Sequence, residues 1–81
     1  MRKVTYIMIF PDGEKLVAKA CAKAPGDTVS IEYSGTAVKP APFPEQATLG
    51  FLEWYWQVKA SSAGADMEVT VEGDYESGAG G

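Results

Sequence analysis

The sequence predicts an α+β fold in which one helix packs across a small, mainly antiparallel sheet, in the order β-β-β-α-β. Three features of the chain support this class. Residues 3–33 contain three segments whose composition or alternation is typical of strands. Residues 44–60 carry bulky apolar side chains at helical spacing, and residues 66–72 alternate again. We expect a single domain over residues 1–73 and a flexible glycine-rich tail over residues 74–81.

The first two strands are predicted to form a hairpin. Residues 3–10, KVTYIMIF, are rich in β-branched and aromatic types. The Pro-Asp-Gly loop that follows suits a three-residue turn, so Phe10 should face Glu14. This register pairs Tyr6 with Ala18 and leaves one face of the hairpin almost wholly apolar, whereas a slip by one residue would mix the two faces.

Residues 14–24, EKLVAKACAKA, also permit a second interpretation. They are rich in alanine and lysine, with Lys15, Lys19 and Lys23 at helical spacing, and helix propensity alone favours a helix. The turn and the facing pattern favour a strand. The sequence alone leaves both interpretations open.

The third strand is expected at residues 28–33, TVSIEY, where apolar and polar side chains alternate. Residues 36–44 follow with three prolines, which predict an extended connector that delivers the helix onto the sheet. Such a segment is also a minor candidate for docking to a polyproline-binding domain.

The helix is predicted over residues 44–60, PEQATLGFLEWYWQVKA. Pro44 suits the first helical position, and Glu45 in the first turn suits the helix dipole. Lys59 is expected in the last turn, and Gly64 is available as the stop.

The apolar side chains of this helix form two arcs on nearly opposite sides. A surface helix of a small domain shows one apolar stripe, so two arcs mean that the helix is covered on both sides or that one face is free for a partner. The sequence does not decide which arc faces the sheet. One arc comprises Phe51, Trp54, Tyr55, Val58 and Ala47, and the other comprises Leu49, Leu52, Trp56 and Ala60.

The last strand is predicted to point its apolar side chains inward, as the third strand does. The expected core therefore combines alternate residues of the four strands with one arc of the helix. Its strand residues are Val4, Tyr6, Met8, Leu16, Val29, Ile31, Met67, Val69 and Val71.

Composition excludes several kinds of chemistry. The chain has no histidine and one cysteine, Cys21, so histidine metal sites, Ser-His-Asp triads and CxxC motifs are excluded. We expect no catalytic residue, metal or cofactor, and a protein that is not an enzyme. The formal charge of −4 argues against direct binding of nucleic acid or an anionic membrane. The early apolar run is too short for a signal peptide, which predicts a cytoplasmic protein.

Aromatic and acidic side chains define the candidate partner-binding surface. Tryptophan and tyrosine dominate binding energies at protein interfaces. Residues 66–76 carry five acidic side chains and no basic one, which suggests a stripe that steers a basic partner surface, although simple solvation and cross-strand pairing with Lys3 or Lys19 also explain it. The candidates are Trp54, Tyr55, Trp56, Glu53, Glu68, Glu72, Asp74 and Glu32.

In size, charge and architecture the chain resembles the small acidic inhibitors encoded by phages and mobile elements, anti-CRISPR proteins among them. The resemblance implies a cofactor-free inhibitor or adaptor that occupies a surface of a larger, nucleic-acid-handling complex. Two alternatives remain: a homodimeric structural or assembly module, and a small carbohydrate- or nucleotide-binding domain that uses Trp54 and Trp56. The two-arc pattern predicts that one tryptophan supports the fold and the other supports association.

Overall fold

The computed structural model describes residues 1–37 and 43–76 and confirms the α+β class. A four-stranded antiparallel sheet is accompanied by one helix and by a second, two-stranded sheet. The elements are β1 (Arg2–Ile9), β2 (Lys15–Ala22), β3 (Val29–Ser30), β4 (Glu32–Gly35), β5 (Gln46–Ala47), α1 (Leu49–Ala63) and β6 (Asp66–Glu72).

The main sheet has the strand order β4-β2-β1-β6, and the predicted hairpin register is confirmed. Tyr6 lies opposite Ala18, and the Phe10 N–H donates to the Glu14 carbonyl across the turn (2.8 Å). Gly13 supplies the positive φ of 90° that the turn requires. The helical interpretation of residues 14–24 is therefore wrong, because sheet pairing outweighs local helix propensity.

The third predicted strand is interrupted at Ile31, which the sequence did not indicate. The Ile31 N–H donates to the Glu45 carbonyl (2.9 Å), and β3 pairs with β5, so this part of the chain belongs to the small sheet. Beyond Ile31 the chain joins the main sheet as β4, where Tyr33 lies opposite Ala18. The segment predicted as one strand at residues 28–33 therefore contributes to both sheets, as β3 in the small sheet and as the start of β4 in the main sheet.

The predicted start of the helix is wrong by five residues. Residues 46–47 are extended in β5, and α1 begins at Leu49. Thr48 is the N-cap, because its hydroxyl oxygen accepts the Phe51 N–H (3.1 Å). Pro44 and Glu45 therefore lie before the helix, and α1 ends three residues later than predicted.

Gly64 ends α1 as predicted, in the left-handed conformation at φ 67°. The inner face of α1 is the arc of Leu49, Leu52, Trp56 and Ala60, all of which are buried against the sheet. The sheet face beneath α1 presents the small side chains of β2, which allow the close approach of a large ring. The buried sheet residues include Val4, Tyr6, Met8, Leu16, Ala18, Ala20 and Ala22.

The predicted core is wrong at the last strand. The side chains of Val69 and Val71 are 46% and 47% exposed, and Met67 is half-buried. These side chains are exposed because β6 is an edge strand of the main sheet. Val29 is also only half-buried, since it lies in the small sheet.

Two predicted segments extend beyond the described residues. The prolines at positions 40 and 42 of the predicted connector, with the suggested polyproline docking motif, lie outside them, as do residues 77–81 of the predicted tail. The first part of that tail contacts the chain just beyond the end of β2, where the Glu76 N–H donates to the Lys23 carbonyl (2.8 Å). Within the described ranges, no helix is long and apolar enough to cross a membrane.

Candidate functional site

The inner face of α1 is built around Trp56, which is fully buried. Its ring stacks on Tyr33 with centroids 6.2 Å apart and contacts Phe43 at 5.4 Å and Tyr6 at 6.2 Å. The predicted role of Trp56 as a partner-binding residue is therefore wrong in this structure, because a side chain enclosed on every side cannot contact another protein. Trp56 belongs to the core.

The outer aromatic face of α1 comprises Phe51, Trp54, Tyr55 and Val58. Phe51, Trp54 and Val58 are 44%, 59% and 42% exposed, and Tyr55 is half-buried. These positions have the spacing i, i+3, i+4 and i+7, so the side chains line one side of the helix, opposite the buried arc. Three large apolar side chains on one side of a helix form a patch rather than scattered exposure.

The rings of this face are held in place before any partner arrives. Phe51 lies 5.7 Å from Trp54 and 5.8 Å from Tyr55, measured between ring centroids. The Lys59 ammonium lies 5.4 Å from the centre of the Tyr55 ring, a cation–π contact. Side chains that already contact one another lose less conformational entropy on binding.

Phe43 joins the outer aromatic face to the core. It is buried, contacts Trp56, and meets Tyr55 edge-on at 5.9 Å. Sequence reasoning did not identify Phe43, because its neighbours are prolines and no periodic pattern includes it. The residue type itself was a signal, because phenylalanine is among the residues most often buried.

Phe51 and Val58 were also absent from the predicted site, although both belong to the same predicted arc as Trp54. The predicted site followed the adjacent aromatic residues at positions 54–56 instead of one arc of the helix. Helical periodicity separates Trp54 from Trp56 by about 200° around the axis, so the two cannot share a face. Spacing, rather than adjacency in sequence, identifies the outer aromatic face.

The acidic candidates are divided between two parts of the sheet. Glu68 and Glu72 lie on β6, on the sheet face away from α1, and Asp74 is exposed just beyond the strand. Glu32 does not continue this stripe, because it lies on β4 at the opposite edge, directly across from Lys19. Glu72 likewise lies opposite Lys3, as the cross-strand pairing interpretation predicted.

Glu53 lies on the flank of α1 that faces β6, where it lines an open groove of about 290 Å³. The groove runs between the first half of α1 and the apolar side chains of Val69 and Val71, above Tyr6. Burial raises the pKa of Tyr6 to about 12, and the nearby Glu53 carboxylate adds to the shift. At neutral pH the Tyr6 hydroxyl is therefore fully protonated and is not a base.

Among the described residues, no group of three or more cysteine, aspartate or glutamate side chains is arranged to hold a metal ion. Comparison of the chain with protein-family models, with curated proteins and with solved structures finds no match.

Proposed function

We propose that this chain is a small non-catalytic protein-interaction module whose outer aromatic face docks into an apolar groove of a larger protein. The observation that carries the proposal is the preformed cluster of Phe51, Trp54 and Tyr55 on the side of α1 opposite the core. Its spacing is the one by which amphipathic helices enter grooves of partner proteins.

The net charge of the chain indicates the chemistry of the partner. Glu53 and Lys59 flank the outer aromatic face with opposite charges, and the chain as a whole carries −4. A partner groove with a basic rim would therefore associate faster than a neutral or acidic one. An inhibitor or adaptor that occupies the nucleic-acid-facing surface of a larger complex, as anti-CRISPR-type proteins do, fits this description, and it would act in the cytoplasm.

The outer aromatic face favours a protein over a sugar or a nucleotide. It is a convex helix surface, whereas small-molecule sites are usually concave and enclose most of the ligand. With Trp56 buried, the pair of tryptophans required by the carbohydrate- or nucleotide-binding alternative is not available. The homodimer alternative uses the same face, with a second copy in place of the partner, and the experiment below separates the two.

A photo-reactive phenylalanine analogue at position 54 tests the proposal. The matched control carries the same analogue at Ser34, an exposed position of β4 on the sheet face away from α1. A covalent adduct with one protein, formed from position 54 only, identifies the candidate partner. The dissociation constant of the purified pair is then measured for the unmodified chain, for Trp54→Ala and for Ser34→Ala.

We expect Trp54→Ala to weaken binding by about 30-fold or more, the effect of losing an interface hot spot, and Ser34→Ala to leave binding unchanged. Equal affinities for Trp54→Ala and the unmodified chain would contradict the proposal. Adducts only between two copies of this chain, together with a dimer mass in light scattering, would establish the homodimer instead.

A further inference from the structure

We infer that the outer edge of β6 is a second docking site, one that accepts an extended basic strand from a partner protein. This inference does not depend on the helix-face proposal, because it uses a different surface. It starts from the strand order, in which β6 is one of the two edges of the main sheet. β6 is seven residues long, whereas β4 at the other edge has four. A long open edge is a template for another strand.

The hydrogen bonds of the hairpin determine which backbone groups of β6 face outward. Because Phe10 bonds to Glu14, the even-numbered residues of β1 bond to β2, and the odd-numbered ones turn toward β6. Thr5, for example, lies opposite Thr70. The even-numbered residues of β6 are therefore bonded to β1, and its odd-numbered residues direct N–H and C=O away from the sheet. These outward groups belong to Met67, Val69 and Val71.

The side chains near this edge indicate the pattern of the incoming strand. Val69 and Val71 point to the α1 side, where they border the groove beside Glu53. An added strand would place alternate side chains over this groove, where apolar groups gain burial. Its other side chains would lie on the opposite face, beside Glu68 and Glu72. Apolar residues alternating with lysine or arginine fit both faces.

A second copy of β6 does not fit the same edge. Two antiparallel copies related by a two-fold axis at Val69 would place Asp66 opposite Glu72. An axis at Thr70 would place Glu68 opposite Glu72. Like charges directly across a pair of strands are destabilising. The acidic side chains therefore act against self-pairing and in favour of a basic strand.

The probe is an acetylated and amidated heptapeptide in which valine alternates with lysine, and the control peptide has glutamate in place of lysine. Binding is followed by amide hydrogen exchange in the intact chain. We expect the lysine peptide to slow exchange at Met67, Val69 and Val71 by about tenfold or more, with little change at Thr70, which already bonds to β1. Higher salt should weaken the effect.

Val69→Pro is the decisive variant. It removes one outward N–H, and proline is tolerated at an edge strand where that group faces solvent. Val69→Ala is the matched control, since it shortens the same side chain and keeps the N–H. We expect Val69→Pro to lose peptide binding, Val69→Ala to retain it, and Trp54→Ala to leave it unchanged.

A charge reversal, Glu68→Lys with Glu72→Lys, keeps the inference testable if Val69→Pro does not fold. We expect the reversed chain to prefer the glutamate peptide. The inference is overturned if neither peptide protects the outward amides, if the reversal leaves the preference unchanged, or if binding is lost in Trp54→Ala instead. Failure here leaves the helix-face proposal standing, because that proposal is tested at Trp54 with a protein partner.

Discussion

Two tryptophans that stand two positions apart in one helix have opposite environments. Trp56 is fully buried among Tyr6, Tyr33 and Phe43. Trp54 is 59% exposed, and its ring lies 5.7 Å from that of Phe51 on the same side of the helix. The residue type is the same, and the difference follows from the rotation of the helix between them. The comparison shows that the stability and the proposed binding function of this chain belong to opposite sides of α1, so each side can be altered separately.

The largest expected effect on stability is that of a substitution at Trp56, on the buried side of α1. Trp56→Ala removes the ring at the centre of the core and should lower the free energy of unfolding by about 3–5 kcal/mol, the usual cost of a large cavity. For an 81-residue domain this is a large fraction of the total stability. Urea denaturation followed by circular dichroism measures the change. A loss no larger than that caused by Trp54→Ala would show that the assignment of the two faces is wrong.

Alkaline pH should also lower the free energy of unfolding, through two tyrosines that pack against Trp56. Burial raises the pKa of Tyr6 and of Tyr33 to about 12, above the ordinary value of 10.0. As pH rises above 10, the unfolded chain releases these protons before the folded chain does, so the free energy of unfolding falls. The stabilisation is complete below pH 10 and is lost progressively as the pH rises to about 12.

Urea denaturation at about pH 9 and about pH 11 measures this loss. Tyr6→Phe is the control, because it removes one of the two hydroxyl groups whose pKa is raised and should reduce the dependence on pH. Stability that is unchanged between the two pH values would argue against burial of these hydroxyl groups.

A smaller loss of stability is expected at Thr48, the N-cap of α1, because both faces of the helix begin there. Thr48→Ala removes the N-cap hydroxyl that accepts the Phe51 N–H, and should cost about 1 kcal/mol of stability. Thr48→Ser keeps a hydroxyl and should restore most of it. Thermal denaturation of the three chains gives the comparison, and an equal midpoint for alanine and serine would indicate that the cap contributes nothing.

The smallest effect on stability is expected at the exposed side. Trp54→Ala should change the free energy of unfolding by no more than about 0.5 kcal/mol, because most of the ring is already in water. Its emission is expected to be the red-shifted component of the tryptophan fluorescence. A loss of several kcal/mol would mean that Trp54 supports the fold and would contradict its assignment to an exposed binding surface.

The hairpin and the two arcs of the helix could be predicted from sequence because each depends on local pattern. Tyr6 opposite Ala18 follows from the turn and from period-two alternation, and the separation of Trp54 from Trp56 follows from helical spacing. The predicted start of α1 is wrong because Pro44 and Glu45 suit a helix locally but are held by distant residues. The Glu45 carbonyl accepts the Ile31 N–H, and the Pro44 carbonyl accepts the Tyr33 hydroxyl. Non-local pairing of that kind leaves no periodic signal.

The exposure of the β6 valines could not be predicted from the sequence for a related reason. Alternation shows that Val69 and Val71 share a face with Met67, but it does not show whether another element covers that face. Strand order decides this, and β6 lies at an edge. The same limit applies to the acidic candidates, since only the strand order places Glu32 across the sheet from Glu72.

The central claim is that Trp54 is exposed on the outer aromatic face while Trp56 is core, and acrylamide quenching of single-tryptophan variants tests it most directly. Trp56→Phe leaves the emission of Trp54, and Trp54→Phe leaves that of Trp56. We expect Trp54 to be quenched strongly at every protein concentration and Trp56 to be protected. Equal quenching of both, or protection of Trp54 that grows with protein concentration, would contradict the claim, the latter because a second copy already covers the face.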